Sequence, residues 1–193
     1  MRTALRALLG DPAFVAIVLQ QIFASAALFG HIASSPFIFQ EYYGLSSFSY
    51  GILFGVIALG ITLGAALSSR QSSPELAMLA GAAGLLGAAV LLAVAYAVGA
   101  SLLWITPVYF VLLVMLGITL PAAMTAALSR HRARSGLAAA VLGAVGFGGG
   151  GLVAPLTTLG TPTVTTACLF IVSAVALVVI GIALRRFTRE SRV

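Results

Sequence analysis

The sequence predicts an all-α polytopic membrane protein, a single six-span bundle over residues 1–193. Three observations predict it. The chain is 61% hydrophobic and 7% charged, with a mean hydropathy of +1.16, whereas soluble domains carry about 25% charged residues. Its apolar runs are about 20 residues long, the length a bilayer core asks of a helix. All ten basic residues are arginines and fall in alternate connecting segments, the bias of loops on the cytoplasmic side. The expected spans are Phe14–Ser34, Ser49–Ser69, Leu76–Val98, Leu102–Pro121 (continuing towards Leu128), Leu137–Leu156 and Val164–Leu184.

Arg2 and Arg6 precede span one, and Arg70 lies between spans two and three. Arg130, Arg132 and Arg134 lie between spans four and five; Arg185, Arg186, Arg189 and Arg192 follow span six. An even number of spans and this alternation agree on cytoplasmic termini. The net charge of +6 therefore belongs to span ends, forms no extended basic face and excludes nucleic acid as a partner. Cys168 is the only cysteine, so an intrachain disulfide is impossible. Met1 to Ala26 superficially resembles a secretory leader, but Gln20 and Gln21 interrupt its apolar region and Asp11-Pro12 precedes it. It reads as a first membrane span.

Span one is the most polar. Gln20, Ala24, Ala27 and His31 recur at helical spacing on one face, with Gln21, Ser25, Ile32 and Ser35 about 100° around. Amides and an imidazole facing lipid cost several kcal/mol, so these faces point to other helices or to a water-filled cavity; both readings stay open. His31 sits near the expected membrane edge, where an interfacial role competes with a cavity. The crossing that follows, His31 through Ser47, reads as a proline- and aromatic-rich outer turn holding Glu41.

In span two, Gly60, Gly64 and Ser68 form one small-residue ridge and Gly51 and Gly55 another, the device that lets helix backbones approach in lipid. A surface sliding during a conformational change is the sharper reading. Ala80, Gly84 and Ala88 repeat the device in span three. Span four contains Pro107 and Pro121, which predict a bent or jointed helix, with Tyr109 and Met115 as core or path-lining residues and Trp104 as an interfacial anchor. Span five, with Gly143, Gly146, Gly148 to Gly151 and Pro155, is the least helix-like; close packing or a flexing gate explains such a cluster. Its Gly146-x-Gly148-x-x-Gly151 fits the dinucleotide pattern, but no strand precedes it and no acidic residue follows at the required distance. Span six is uniformly apolar and is expected to face lipid.

No catalytic or metal-binding constellation is present. His31 and His131 fall on opposite sides of the membrane in this topology, and no hydrolase or metalloprotease motif occurs. The chain reads as no enzyme, with no cofactor. No Asp or Glu lies within a span, although proton-driven carriers keep an ionisable group at depth; only His31 comes near.

Ile32-Ala-Ser-Ser-Pro-Phe-Ile-Phe-Gln-Glu-Tyr-Tyr-Gly-Leu-Ser46, followed by Phe54-Gly55, resembles the seventh-to-eighth span crossing of major facilitator drug/proton antiporters of the bicyclomycin-resistance (Bcr/CflA) type. Leu120-Pro-Ala-Ala-Met-Thr-Ala-Ala-Leu128, Ser135-Gly-Leu-Ala-Ala-Ala-Val-Leu-Gly143 and Ala154-Pro-Leu156 are similar to spans ten and eleven of that group. The resemblance implies one six-span half, a 3+3 inverted repeat, of a twelve-span carrier rocking about a central site. It implies efflux of small amphipathic compounds or drugs in exchange for protons, across a cell (inner or plasma) membrane. A second six-span half or self-association would then be needed. The candidate cavity wall is Gln20, Gln21, Ala24, His31, Tyr109 and Met115; the candidate packing or gating residues are Gly60, Gly64, Gly146, Gly150, Pro121 and Pro155. A six-span permease subunit or small oligomeric transporter, and a non-transporting membrane assembly protein, remain alternatives.

Overall fold

The computed structural model describes residues 2–158 and 160–190; Arg192 lies outside them, and the side chains of Arg2, Ala154, Thr158 and residues 188–190 are likewise outside the description. Among the described residues every regular element is helical. It forms α1 (Arg2–Leu9), α2 (Pro12–Pro36), α3 (Ser47–Ser68), α4 (Pro74–Ala97), α5 (Leu102–Arg130), α6 (Ser135–Val153) and α7 (Pro162–Glu190). Six of these, α2 to α7 with their extensions, are long and apolar enough to cross a bilayer.

The helix starts follow local chemistry. Asp11 accepts a hydrogen bond from the Ala13 N–H at 3.0 Å, and Pro12 opens α2, where its missing N–H costs nothing. Ser46 and Ser73 cap α3 and α4 in the same way, and Pro74 and Pro162 open α4 and α7. Gly44, Gly99 and Gly160 take positive φ in the three connections that carry no arginine, allowing tight reversals that side-chain-bearing residues resist. By the antiparallel order those three connections share one end of the bundle, and the arginines among the described residues share the other.

The largest departure from the sequence reading lies at the end of α2. The proline-rich stretch is not a loop: the helix runs through Pro36 and widens into a π-helical turn over Phe37–Tyr42. Pro36 has no N–H for the Ile32 carbonyl, and the Ser35 hydroxyl donates to that carbonyl instead, at 3.1 Å. The wider turn then closes through Tyr43 N–H to the Ile38 carbonyl at 3.1 Å. The connection shrinks to residues 43–46, and His31 moves from the expected membrane edge into the core, with no exposed surface.

α2 is the central helix, packing against α5, α6 and α7, while α5 packs against α3, α4 and α2. Exchanging the first three long helices with the last three maps α3 on α5 to α6 on α2, and α4 on α5 to α7 on α2; α4 on α7 and α2 on α5 map onto themselves. Because three is odd, the matched helices run in opposite directions. This is the packing of two inverted three-helix repeats.

α5 remains helical through Pro107 and Pro121. The expected ridge of α3 is present: Gly60 and Gly64 are buried, a side chain on Gly64 would overlap the Val114 carbonyl, and Ser68 donates to the Ile118 carbonyl at 3.0 Å. In α4 the expected face packs in part, with Gly84 against Met115 and Ala88 buried, and the contact extends to one side of it. Ala77, Gly81 and Leu85 are buried whereas Ala80 is exposed, because Gly81 must admit Thr119 and Met115 of α5. Glycine-rich α6 is a regular α-helix that tightens to 3₁₀ over Ala154–Thr158, around Pro155. α7 is not simply lipid-facing: Phe170, Ala174, Leu177 and Leu184 are buried. The least covered long helices are α3 and α6.

Candidate functional site

The polar face of α2 lies at the middle of the bundle. Gln20, Ala24, Ala27 and His31 have no exposed surface, as helical spacing predicts for a face turned to other helices. The Gln20 amide donates through Nε2 to the Leu177 carbonyl of α7 at 2.7 Å, leaving Oε1 buried without a partner. Gln21 turns towards α6: its Nε2 lies 3.4 Å from Ser25 Oγ and its Oε1 also lacks a partner. Gly146 is opposite, where a Cβ would stand 3.0 Å from Ser25 Oγ and 3.1 Å from Gln21 Nε2. One turn on, Gly150 receives the Phe29 ring. A buried acceptor left without a hydrogen bond costs about 1–3 kcal/mol.

His31 is the extreme case, since neither ring nitrogen has a hydrogen-bond partner. Aromatic rings from three helices surround it. Phe54 of α3 stacks nearly parallel at 5.9 Å, Tyr109 of α5 lies 4.9 Å away and Phe170 of α7 lies 6.4 Å away, centroid to centroid. Phe39, from the π-helical turn, meets Tyr109 edge-on at 5.3 Å. Tyr109 is itself fully buried, and its hydroxyl bonds that of Tyr96 at 2.8 Å. Ser35 shares a 2.8 Å hydrogen bond with Tyr50 of α3.

The candidate residues thus divide. His31 and Tyr109 come together; Gln20 meets α7, and Gln21 meets α6. Met115 lies elsewhere, with its thioether against Gly84 of α4. Sequence reasoning missed the aromatic partners Phe54, Tyr96 and Phe170. No local signal identifies them, since each comes from a different helix.

At the arginine-bearing end, Asp11 joins the two repeats. Its carboxylate accepts from Arg130 Nε at 2.6 Å and Nη2 at 3.4 Å. His131 Nε2 lies 3.1 Å from the same carboxylate without being directed as a hydrogen bond, and its ring meets Phe14 edge-on. Burial pushes the Asp11 carboxyl up, but the Arg130 and Ala13 hydrogen bonds and the charges of Arg130 and His131 outweigh it. The net pKa lies below the ordinary 3.8.

No protein-family profile matches the chain. A stretch of 173 residues, 87% of the chain, is 28% identical to part of a protein of Bacillus subtilis (strain 168) described as the uncharacterized MFS-type transporter YdgK. The chain spans 43% of that relative's length.

Proposed function

We propose that the chain forms one six-helix wall of a major facilitator-type transporter in a cell (inner or plasma) membrane, with both termini cytoplasmic. It moves small amphipathic compounds, drugs among them, out of the cell by alternating access and in exchange for protons, as in the Bcr/CflA resemblance. The observation that carries this reading is the polar spine of α2. A glutamine pair and a histidine with unpartnered buried atoms occupy the central helix of a bundle packed as two inverted repeats, where such carriers bind their cargo. The similarity to an MFS-type transporter supports it.

Gln20, Gln21, Ala24, His31, Tyr109 and Met115 contribute to the cargo path on this reading. α3 and α6 slide or part at Gly60, Gly64, Gly146 and Gly150, while Pro121 and Pro155 allow local adjustment. The opposite wall is a second six-helix unit or a second copy of the chain, seated on the lightly covered faces of α3 and α6. There Gly51, Gly55, Gly143, Gly148 and Gly151 have open space at the Cβ position. The test is drug accumulation and resistance in cells carrying the complete carrier. Gln20→Ala and Gln21→Ala are each expected to lower efflux by roughly tenfold or to change its drug profile; unchanged transport in both variants would remove α2 from the cargo path.

A further inference from the structure

The acidic residues within the spans stand only at helix ends, Glu41 exposed in the π-helical turn and Glu75 in the first turn of α4, yet the proposed exchange needs a group that carries the proton. His31 is the imidazole at depth, with both nitrogens free to accept or release one. Phe54, Tyr109 and Phe170 close around it as ring faces and edges, and aromatic faces attract a cation where water is excluded. From α3, α5 and α7 the titratable groups facing this region are Tyr50, through Ser35, and Tyr109; from α4 it is Tyr96, through Tyr109. The charged residues of those helices, Arg70 just beyond α3, Glu75, Arg130, Arg185 and Arg186, stand at the arginine-bearing end, and Glu41, in the π-helical turn that continues α2, is exposed at the arginine-free end. Cys168 of α7 is exposed, and no charged side chain of α6 approaches. Nothing in the cage competes with His31 for a proton at neutral pH, because tyrosine hydroxyls stay protonated there.

A route to it is also present. Tyr96 lies near the end of α4 beside the arginine-free connections and is partly exposed, whereas Tyr109 is fully buried. Their hydroxyls are 2.8 Å apart, and Tyr109 lies against His31. We infer that His31 is the proton-carrying group of this chain, loaded from the arginine-free end of the bundle through the Tyr96–Tyr109 hydroxyl pair. In the transfer, a hydronium ion at the exposed side of Tyr96 gives its proton to that hydroxyl and becomes water. As it does so, Tyr96 passes its own proton to Tyr109 while Tyr109 passes its own to a ring nitrogen, so that no hydroxyl holds two protons. Both tyrosines end neutral and His31 ends as imidazolium. Release by the reverse steps, or to the opposite side after the helices move, completes the exchange.

The inference rests on the proton-exchange reading and is tested without any cargo. The full chain is labelled with ring-¹⁵N histidine in lipid nanodiscs, and the His131 signals are identified by their loss in His131→Gln. As the pH falls from about 9 to about 4, the two unequal ring-nitrogen signals of His31 should converge to the near-equal pair of an imidazolium. Tyr96→Phe and Tyr109→Phe should each slow proton exchange at His31 by roughly tenfold or more, with helix content unchanged by circular dichroism. A His31 that stays neutral throughout overturns the assignment, and a titrating His31 indifferent to both tyrosines overturns the route. If the carrier exchanges protons while His31 stays neutral, the transport reading stands and this site falls. If His31 titrates but transport ignores pH, proton exchange itself falls.

Discussion

At the scale of single residues, the polar atoms on α2 and the ion pair below it play opposite parts. Gln20, Gln21 and His31 leave acceptors unmet inside the bundle, while Asp11 has every oxygen engaged. Asp11→Ala removes a helix cap and an ion pair together, and is expected to cost about 1–2 kcal/mol, read as an earlier melting midpoint in detergent. Asp11→Asn keeps the cap and should lose about 1 kcal/mol or less, because the pair is partly exposed. Since the folded carboxyl titrates below its ordinary value, its contribution is complete above about pH 4 and fades as acid protonates it below that. The pH dependence between about 2 and 5 should therefore flatten in Asp11→Asn. The helical spacing of Gln20 and His31 made their shared face legible in the sequence. The ring cage around His31 was not, since Phe54, Tyr109 and Phe170 meet only through tertiary packing.

At the scale of elements, glycine separates two kinds of helix surface that composition alone leaves alike. On α3, Gly64 meets the Val114 and Gly117 backbones of α5 and Gly60 meets the Phe110 carbonyl, whereas Gly51 and Gly55 of the same helix meet nothing within 4 Å. Gly64→Ala should force α3 from α5 and cost about 1–3 kcal/mol. Gly51→Ala should be neutral or stabilising by up to about 1 kcal/mol. Paired melting curves in one detergent decide the matter, and equal effects would contradict the packing described. The ridge of Gly60, Gly64 and Ser68 was legible because small residues four apart share a helix face. The course of α2 past Pro36 was not, because proline ordinarily marks a helix boundary and the Ser35 hydroxyl that relieves its carbonyl is a local accident of sequence.

At the scale of the whole molecule, six apolar runs and alternating arginines made the spans and the order of their ends legible, while which helices touch was invisible before the fold. That packing leaves α3 and α6 as the exposed pair, related by the exchange of the two repeats. On the proposal of a twelve-helix carrier, a Gly55→Cys or Gly148→Cys substitution in a Cys168→Ser background should crosslink to a second six-helix unit in membranes. A cysteine replacing Val175, on the outward side of α7, should not, as judged by mobility on denaturing gels. The π-helical turn at Phe37–Tyr42 has a consequence for how such a chain can vary in length. A π turn holds one residue more than the α-helical path it replaces, so α2 contains slack at that point and nowhere else among its described turns. Losing one residue there would let the segment rewind as an ordinary helix, with Gln20 and His31 still facing inward. The same loss between Gln20 and Gly30 would rotate everything beyond it by about 100° and turn the imidazole towards lipid. Single-residue indels in descendants of this chain are thus expected to gather in those six positions.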